Sequence, residues 1–268
     1  MESELMRITY RSANNKDYWT KRWDDIPADI PMENLDVYPL KYAQMTVKDK
    51  AGKVLEAGCG AGRVLRYYHG RGYDIIGFDF IDVAISKLKE IDPTLKAEVG
   101  DITNLRFADQ KFDYVLAFGL YHNLEHGLEK AIQETHRVLK NGGLVCASFR
   151  ADNIQTKLTD WLADRKVKNK RGNKKIRAFH KMNLTRSEYE QLFTRAGFAI
   201  DYVSPVENMP ILYKFAIFRA AEHKLFDENK ARAEGYRLSW VGQKLQNALM
   251  GFFPDQFCNI YVLIARKV

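Results

Sequence analysis

Residues 53–82 read KVLEAGCGAGRVLRYYHGRGYDIIGFDFID, and this stretch decides the fold. A short apolar strand runs into a turn with three glycines, a helix follows, and a second apolar strand ends at Asp79. Gly58, Gly60 and Gly62 suit a sharp strand-to-helix turn because glycine adopts backbone angles that a residue with a Cβ resists. The pattern predicts the first βαβ unit of a nucleotide-binding parallel sheet.

Details of this turn separate the possible ligands. The dinucleotide fingerprint G-x-G-x-x-G needs a glycine where this chain has Arg63, and the Gly-Lys-Ser/Thr ending of a P-loop does not occur here. Glu56 precedes the turn, where an acid suits a cationic ligand better than a pyrophosphate. Asp79 lies 21 positions after Gly58 and could accept hydrogen bonds from both hydroxyls of a ribose. An NAD-dependent oxidoreductase is therefore the least favoured enzyme class.

With these residues the chain resembles the class I S-adenosylmethionine-dependent methyltransferases, over roughly residues 50–204. In that family the first strand carries an acid followed by a G-x-G-x-G turn, here Glu56 to Gly62. The run RVLKNGG at residues 137–143, before an apolar strand, is a second point of resemblance. The resemblance implies an α/β fold: a doubly wound, mostly parallel, seven-stranded Rossmann-like sheet with an antiparallel last strand and a helical insertion before that strand.

The resemblance also implies the cofactor, S-adenosylmethionine with S-adenosylhomocysteine as product, and roles for single residues. Glu56 would lie near the amino-acid part of the cofactor, the glycines would cradle it, and Asp79 would hold its ribose. Asp101 would accept from the adenine amine and Ile102 would pack on the ring; the alternative for Asp101 is an Asx turn. The expected cofactor-binding residues are Glu56, Gly58, Cys59, Gly60, Gly62, Asp79, Phe80, Asp101, Ile102, Phe118 and Gly119.

The segment after the predicted fourth strand, Phe112–Phe118, contains the candidate catalytic residues. Loops at the carboxyl ends of parallel strands form the ligand crevice. Methyl transfer from a sulfonium is an in-line displacement that needs no metal, but some acceptors require a base. His122 is the first candidate because imidazole titrates near neutral pH, and Tyr121 is the second. Glu125 and His126 are weaker candidates, and His122 could instead only orient the cofactor or cap the following helix.

The ends of the chain are predicted to be helical. A helix is expected around Asp17–Trp23 and another from Asn34 through about Thr46, and this segment either folds over the cofactor as a lid or covers a sheet edge. In the later insertion, Pro210–Phe218 opens one helix, and a second has an apolar stripe of Trp240, Val241, Leu245, Leu249, Phe252 and Phe253. The predicted organisation is an N-terminal helical lid segment (1–50), a Rossmann-like cofactor-binding domain (51–204), a helical cap (205–257) and the final strand (258–268).

Two interpretations of the cap stay open. It either buries its apolar faces on the sheet domain, or it forms an apolar pocket or dips into a membrane surface. The formal charge of +8 is local, since Arg165–Lys181 holds nine Lys and Arg and no acid. This stretch is predicted to be an exposed loop, which could be merely solvated, bind anionic lipid headgroups or bind nucleic acid.

Composition limits the remaining classes. With 268 residues, 46% of them hydrophobic, the chain can form one substantial core, and its three cysteines lack metal-ligand spacing. Residues 1–4 do not resemble a signal peptide, and no apolar run approaches the ~18 residues of a membrane span, so a cytoplasmic enzyme is expected, with peripheral contact at the inner membrane surface as an open alternative. The predicted activity is methyl transfer to a small-molecule or lipid-linked acceptor. The alternatives are an RNA or protein methyltransferase, or a catalytically silent regulatory homologue that binds the cofactor.

Overall fold

The computed structural model describes residues 6–11, 14–25, 32–168, 178–206, 209–225 and 235–268. Its strands are β1 (Arg7–Arg11), β2 (Val54–Ala57), β3 (Ile75–Asp79), β4 (Ala97–Val99), β5 (Phe112–Ala117), β6 (Leu139–Arg150), β7 (Ala178–Asn183), β8 (Phe198–Pro205) and β9 (Ile260–Lys267). Within the described residues, seven of them form one sheet in the order β4-β3-β2-β5-β6-β9-β8. β9 runs antiparallel to β6 and β8, and the pairs on the β4 to β6 side are parallel. The predicted sheet is confirmed.

Helices cover both faces of this sheet. Successive residues of β5 therefore enter different core layers: Val115 packs in the layer of Ile132 and Phe193, and Leu116 packs in the layer of Val64 and Leu88. A strand buried on both faces needs such a continuous apolar run. The helices of the described residues are α1 (Asn15–Asp25), α2 (Leu40–Thr46), α3 (Arg63–His69), α4 (Asp82–Ile91), α5 (Leu128–Val138), α6 (Ile154–Lys168), α7 (Arg186–Arg195), α8 (Pro210–Tyr213), α9 (Trp240–Phe252) and α10 (Pro254–Phe257).

The sheet reverses its direction of growth between β2 and β5. These strands pair in parallel, although β3 and β4 lie between them in sequence, and the later strands β6, β9 and β8 extend the other side. At such a switch point the connections at the carboxyl ends diverge to opposite faces and leave a crevice. The fold therefore places the glycine-rich turn after β2 beside the loop after β5.

A second, two-stranded sheet was not predicted. β1 pairs antiparallel with β7, from Arg7 opposite Asn183 to Arg11 opposite Ala178. The prediction of a loop over Arg165–Lys181 was wrong at both ends, since α6 continues to Lys168 and β7 begins at Ala178; residues 169–177 lie outside the described part of the chain. The sequence signal for this sheet was weak because the paired positions lie 167 to 176 residues apart.

Two helix predictions need correction. Asn34 does not begin a helix: its Oδ1 accepts from the Asp36 amide at 3.0 Å in a turn, and α2 starts only at Leu40. The first cap helix is short, with α8 followed by a 3₁₀ turn at Ala216–Phe218. The α9 helix is confirmed, and the Ser239 hydroxyl caps it by accepting from the Gly242 amide.

The face that α9 buries differs from the apolar stripe predicted from its sequence. Its buried residues are Gly242, Gln246 and Met250, and Gln246 Oε1 accepts from the Met209 amide at 2.9 Å. Most of the predicted stripe instead faces outward, with exposed fractions of 72% for Trp240, 52% for Val241, 79% for Phe252 and 58% for Phe253, whereas Leu249 is partly buried. The cap therefore buries only part of its apolar surface on the sheet domain, where Ile211, Leu212 and Met250 pack in the core and Leu249 packs against it.

Candidate functional site

A cavity of about 950 Å³ opens at the carboxyl ends of the parallel strands. It lies at the switch point between β2 and β5, where the topology leaves a crevice. Nine of the eleven expected cofactor-binding residues line it: Glu56, Gly58, Cys59, Asp79, Phe80, Asp101, Ile102, Phe118 and Gly119. Gly60 and Gly62 do not line it but lie in the same turn, where the Gly60 amide donates to Asp79.

The glycine-rich turn has the backbone that its sequence predicts. Gly58, Gly60 and Gly62 have φ angles of +71°, +49° and +69°, in the left-handed region that favours glycine. The turn is also tightly covered. A Cβ on Gly60 would lie 2.5 Å from Cζ2 of Trp23, and one on Gly62 would lie 2.5 Å from Cδ2 of Leu88. A side chain at Gly60 would require Trp23 to move, and one at Gly62 would require Leu88 to move.

Glu56 is a buried acid at the carboxyl end of β2. Its side chain lines the cavity, and its Oε2 atom has no hydrogen-bond partner among the described residues. Burial raises the pKa of Glu56 to about 8, against an ordinary value of 4.5. A buried carboxyl group with an unpaired oxygen is the arrangement that an ammonium group of a ligand would stabilise.

Asp79 links the end of β3 to the glycine-rich turn. Its Oδ2 accepts from the Gly60 amide at 2.9 Å, and its Oδ1 accepts from the Ile81 amide at 2.9 Å. Burial raises the pKa of Asp79, and these amide bonds oppose the rise. Each carboxylate oxygen can accept more than one hydrogen bond, so the side chain retains capacity for ligand hydroxyls.

Another wall of the cavity is formed by the exposed ring of Phe80 and by the loop that follows β4. Phe80 is exposed, Ile102 is buried, and both line the cavity with Asp101. Asp101 makes the Asx turn that the sequence suggested, since its Oδ1 accepts from the amide and the hydroxyl of Thr103, each at 2.8 Å. That turn holds the loop after β4 in place. It uses only Oδ1 of Asp101, and Oδ2 takes no part in it.

The two candidate catalytic residues occupy different environments. His122 lines the cavity, its ring lies 5.7 Å from that of Phe149, and its Nδ1 has no partner within the described residues. Burial and the charge of Arg150 lower the pKa of His122 to about 3, so the ring is neutral at neutral pH. Tyr121 instead lies in the core, and its hydroxyl is hydrogen-bonded to Thr135 Oγ1 at 2.7 Å. The structure does not bring Tyr121 to the cavity, which corrects its place among the catalytic candidates.

Phe118 and Gly119 begin the loop that carries His122. The Gly119 amide donates to Ser148 Oγ at 2.8 Å, and the same hydroxyl is 2.9 Å from the hydroxyl of Tyr38. The Tyr38 ring also packs edge-on against Phe118, with ring centres 5.6 Å apart. Tyr38 and Ser148 thus fix this loop, and neither residue was predicted from the sequence to do so.

Helix α1 forms the opposite wall of the cavity. Trp19 and Trp23 stack with ring centres 5.4 Å apart, and both line the cavity. Lys87 Nζ donates to the Trp23 carbonyl at 3.1 Å, and Asn15 Nδ2 donates to the Asn123 carbonyl at 2.6 Å. These bonds tie α1 to α4 on one side and to the loop after β5 on the other.

The sequence reasoning also missed Arg150 and the polar side of the cap. Arg150 ends β6 and lines the cavity near His122, and Tyr236, Gln243 and Gln246 line it from the cap. A signal for Arg150 was present, because a charged residue directly after a buried parallel strand lies at the edge where ligands bind.

Comparisons with known proteins show similarity to methyltransferases. Residues 55–147 match the family model described as a methyltransferase domain. A demethylmenaquinone methyltransferase of Paenarthrobacter aurescens (strain TC1) is 38% identical over 99 residues, which cover 36% of this chain and 38% of the relative. A phthiotriol/phenolphthiotriol dimycocerosates methyltransferase of Mycobacterium tuberculosis (strain ATCC 25177 / H37Ra) is 31% identical over 152 residues, 53% of this chain and 55% of that protein. The chain thus spans about half or less of the length of these curated relatives.

A solved structure shares the fold. The crystal structure of a SAM-dependent methyltransferase from Methanosarcina mazei matches with a TM-score of 0.57 at 19% identity, covering 87% of this chain and 98% of that one. The residues of the cavity fit S-adenosylmethionine, since Glu56, whose Oε2 has no partner among the described residues, suits its ammonium group, Asp79 suits its ribose and Ile102 offers an apolar surface for its adenine. Residues 55–147 therefore match a methyltransferase domain, and the sheet that contains them has the fold of a solved SAM-dependent methyltransferase.

Proposed function

We propose that the protein transfers a methyl group from S-adenosylmethionine to a small-molecule acceptor of largely apolar, lipid-like character. The observation that carries this proposal is that a single cavity is lined both by residues that suit the cofactor and by residues that could contact a second molecule. Unpaired Glu56 and the glycine-rich turn suit the cofactor, while His122, Arg150 and the cap residue Tyr236 lie on the side left for a second molecule. A shared cavity permits the in-line approach that methyl transfer needs.

The residues of this chain would act mainly by orientation. The cofactor, when bound, supplies a methyl group on a sulfonium, which the acceptor's nucleophile takes as the bond to sulfur breaks and its electron pair stays on sulfur. Trp19 and Trp23 of α1 would cover the glycine-rich turn and exclude water, and Asp79 would hold the ribose side. Holding two reactants in line can supply several kcal/mol of the barrier.

His122 would position the acceptor by hydrogen bonding rather than act as a general base that removes its proton. Its ring is neutral over the physiological range, because its pKa is lowered to about 3, and this makes it a weak base. A neutral imidazole can still accept a hydrogen bond from an acceptor hydroxyl. The proton released on transfer would then pass to solvent.

The cap supports an apolar acceptor at a membrane surface. The α9 helix presents Val241, Leu245 and Phe252 at helical spacing on its outer face, and its one charged residue is Lys244. Within the described parts of 209–253 there are five Lys and Arg and one acid, Glu222. Exposed apolar side chains among cations match an anionic bilayer surface, so the proposed occupant of this face is such a surface. Among the described residues, no helix is long and apolar enough to span a bilayer.

The relatives support the same class of acceptor. The two relatives above are named for demethylmenaquinone and for phthiotriol and phenolphthiotriol dimycocerosates, which are lipid-like substrates. A nucleic-acid acceptor is less favoured, because no zinc-finger or RRM signature accompanies the basic stretch in the sequence. A catalytically silent homologue is the remaining alternative, since fold alone does not establish chemistry.

The deciding experiment is a transfer assay with methyl-labelled S-adenosylmethionine and cell extract, partitioned between organic and aqueous phases. Label in the organic phase is the expected result and supports an apolar acceptor. Label only in the aqueous phase overturns the lipid-like acceptor and directs the search to polar metabolites, RNA and protein. Binding of S-adenosylhomocysteine in calorimetry without any transfer supports the silent homologue.

A further inference from the structure

Arg150 has an unusual position for an arginine. It ends β6 opposite Ile260 of β9, and its side chain lines the cavity. The Nε atom is enclosed without a hydrogen-bond partner, and no hydrogen bond or ion pair joins this guanidinium to another of the described residues. An arginine so placed usually pairs with a carboxylate or phosphate, because an unpaired buried charge is costly.

The nearby acids are already engaged. Asp160 binds Arg7 at 2.8 Å and Lys181 at 3.3 Å. Asp152 pairs with Arg7 and, at 3.4 Å, with Lys157. These two carboxylates therefore serve other cations and leave a surplus of positive charge beside the cavity. In agreement, burial lowers the pKa of Arg150, and burial together with the charge of Arg150 lowers the pKa of Lys181 to about 7.

We propose that Arg150 binds a carboxylate on the methyl acceptor, so that the acceptor is a largely apolar molecule with an acidic group. This inference rests on the proposed function and narrows its substrate class. A guanidinium presents a planar pair of donors that matches a carboxylate. The rest of the molecule would lie against the apolar and aromatic lining, including Trp19, Tyr236 and Ile260. Because Arg150 and His122 both line the cavity and the charge of Arg150 acts on the His122 ring, the anion and the reacting group would lie close together.

The test measures carboxylate binding and cofactor binding separately. Calorimetry first measures S-adenosylhomocysteine binding to wild type, Arg150→Gln and Arg150→Lys, with Arg266→Gln as a control at the other end of the same strand pair, where it pairs with Asp201. Benzoate, 4-phenylbutyrate and decanoate are then titrated with and without S-adenosylhomocysteine, beside the matched alcohols and inorganic phosphate. Thermal unfolding of every variant reports on folding.

The expected result is that Arg150→Gln binds S-adenosylhomocysteine and the alcohols as wild type does, but binds at least one carboxylate roughly tenfold or more weakly. Arg150→Lys should be intermediate, and Arg266→Gln unchanged. The melting temperature of Arg150→Gln should not fall, since no protein partner is lost. The proposal is overturned if no carboxylate binds wild type, if Arg150→Gln binds all three equally well, if phosphate is preferred, or if only cofactor affinity falls. Failure of wild type to bind S-adenosylhomocysteine would instead count against the proposed function, and the titrations without it still decide the role of Arg150.

Discussion

The indole of Trp23 packs against Gly60 so closely that a Cβ at position 60 would lie 2.5 Å from Cζ2 of the ring. This contact joins α1 to the glycine-rich turn, and we expect α1 to close over bound cofactor. Gly60→Ala should therefore push Trp23 outward and weaken S-adenosylhomocysteine binding by tenfold or more, at the order of magnitude of a lost contact. Calorimetry and tryptophan fluorescence measure the two effects.

Gly142→Ala is the matched control for that change. Gly142 also has a positive φ, +75°, but no atom lies within 4 Å of its added Cβ. Both variants share a backbone cost of roughly 1–2 kcal/mol, so only the close approach differs. Adding Trp23→Ala to Gly60→Ala should recover part of the folding stability. If Gly142→Ala and Gly60→Ala weaken binding equally, the Trp23 contact has no part in it.

The buried carboxyl of Glu56 predicts a pH-dependent stability. Its pKa is about 8 in the folded chain against an ordinary 4.5, so the folded state holds this proton more tightly. Its contribution is fully present below pH 4.5 and is lost as the pH rises toward 8, by roughly 1.4 kcal/mol for each pH unit. Glu56→Gln should lack this slope. Urea unfolding of both proteins at pH 5 and pH 8 measures the difference, and identical slopes would contradict the assignment.

The same group predicts how the cofactor site responds to pH. Only ionised Glu56 attracts an ammonium group, so S-adenosylhomocysteine should bind wild type more tightly as the pH rises from 6 to 8. Glu56→Gln should bind more weakly and show little change over this range. Calorimetry at three pH values tests this expectation. A wild-type affinity that stays constant would place the ammonium group away from Glu56.

His122 offers a different pH signature. Its pKa of about 3 lies below the ordinary 6.5, so the stability it contributes is present above pH 6.5 and is lost as the pH falls toward 3. At saturating cofactor, we expect kcat to show no inflection near pH 6.5. His122→Gln, which keeps a hydrogen-bond acceptor, should retain more activity than His122→Ala. A kcat that falls below pH 6.5 in wild type, and not in His122→Gln, would restore His122 as a general base.

The sequence predicted the elements that depend on local pattern and missed the relations that depend on distant contacts. The glycine-rich turn and Asp79 could be found because glycine and an acid have fixed uses at the end of a strand. Tyr121 and His122 are neighbours on one short turn, and no pattern tells which of them faces the core. The pairing of β1 with β7 joins the two ends of a long chain segment, and the alternation along Arg7–Arg11 does not indicate which distant strand is its partner.

The α9 helix shows the same limit and leads to the last prediction. Its apolar periodicity was read correctly, but the face it buries is set by a bond between Gln246 and Met209, so Trp240 and Phe252 remain exposed. We expect the protein to float with phosphatidylglycerol vesicles and less with phosphatidylcholine vesicles. Trp240→Gln combined with Phe252→Asn should reduce partitioning roughly tenfold or more, because each buried ring contributes about 1–3 kcal/mol.

Lys244→Gln should lower the preference for anionic lipid with a smaller effect on neutral vesicles, at about 1 kcal/mol for one cation near the surface. Ile91→Gln is the control, since Ile91 is also exposed but lies at the end of α4. Equal binding by the double variant and wild type would exclude this face as the membrane contact. Label in the organic phase of the transfer assay, together with that result, would then mean that the acceptor reaches the cavity without help from α9.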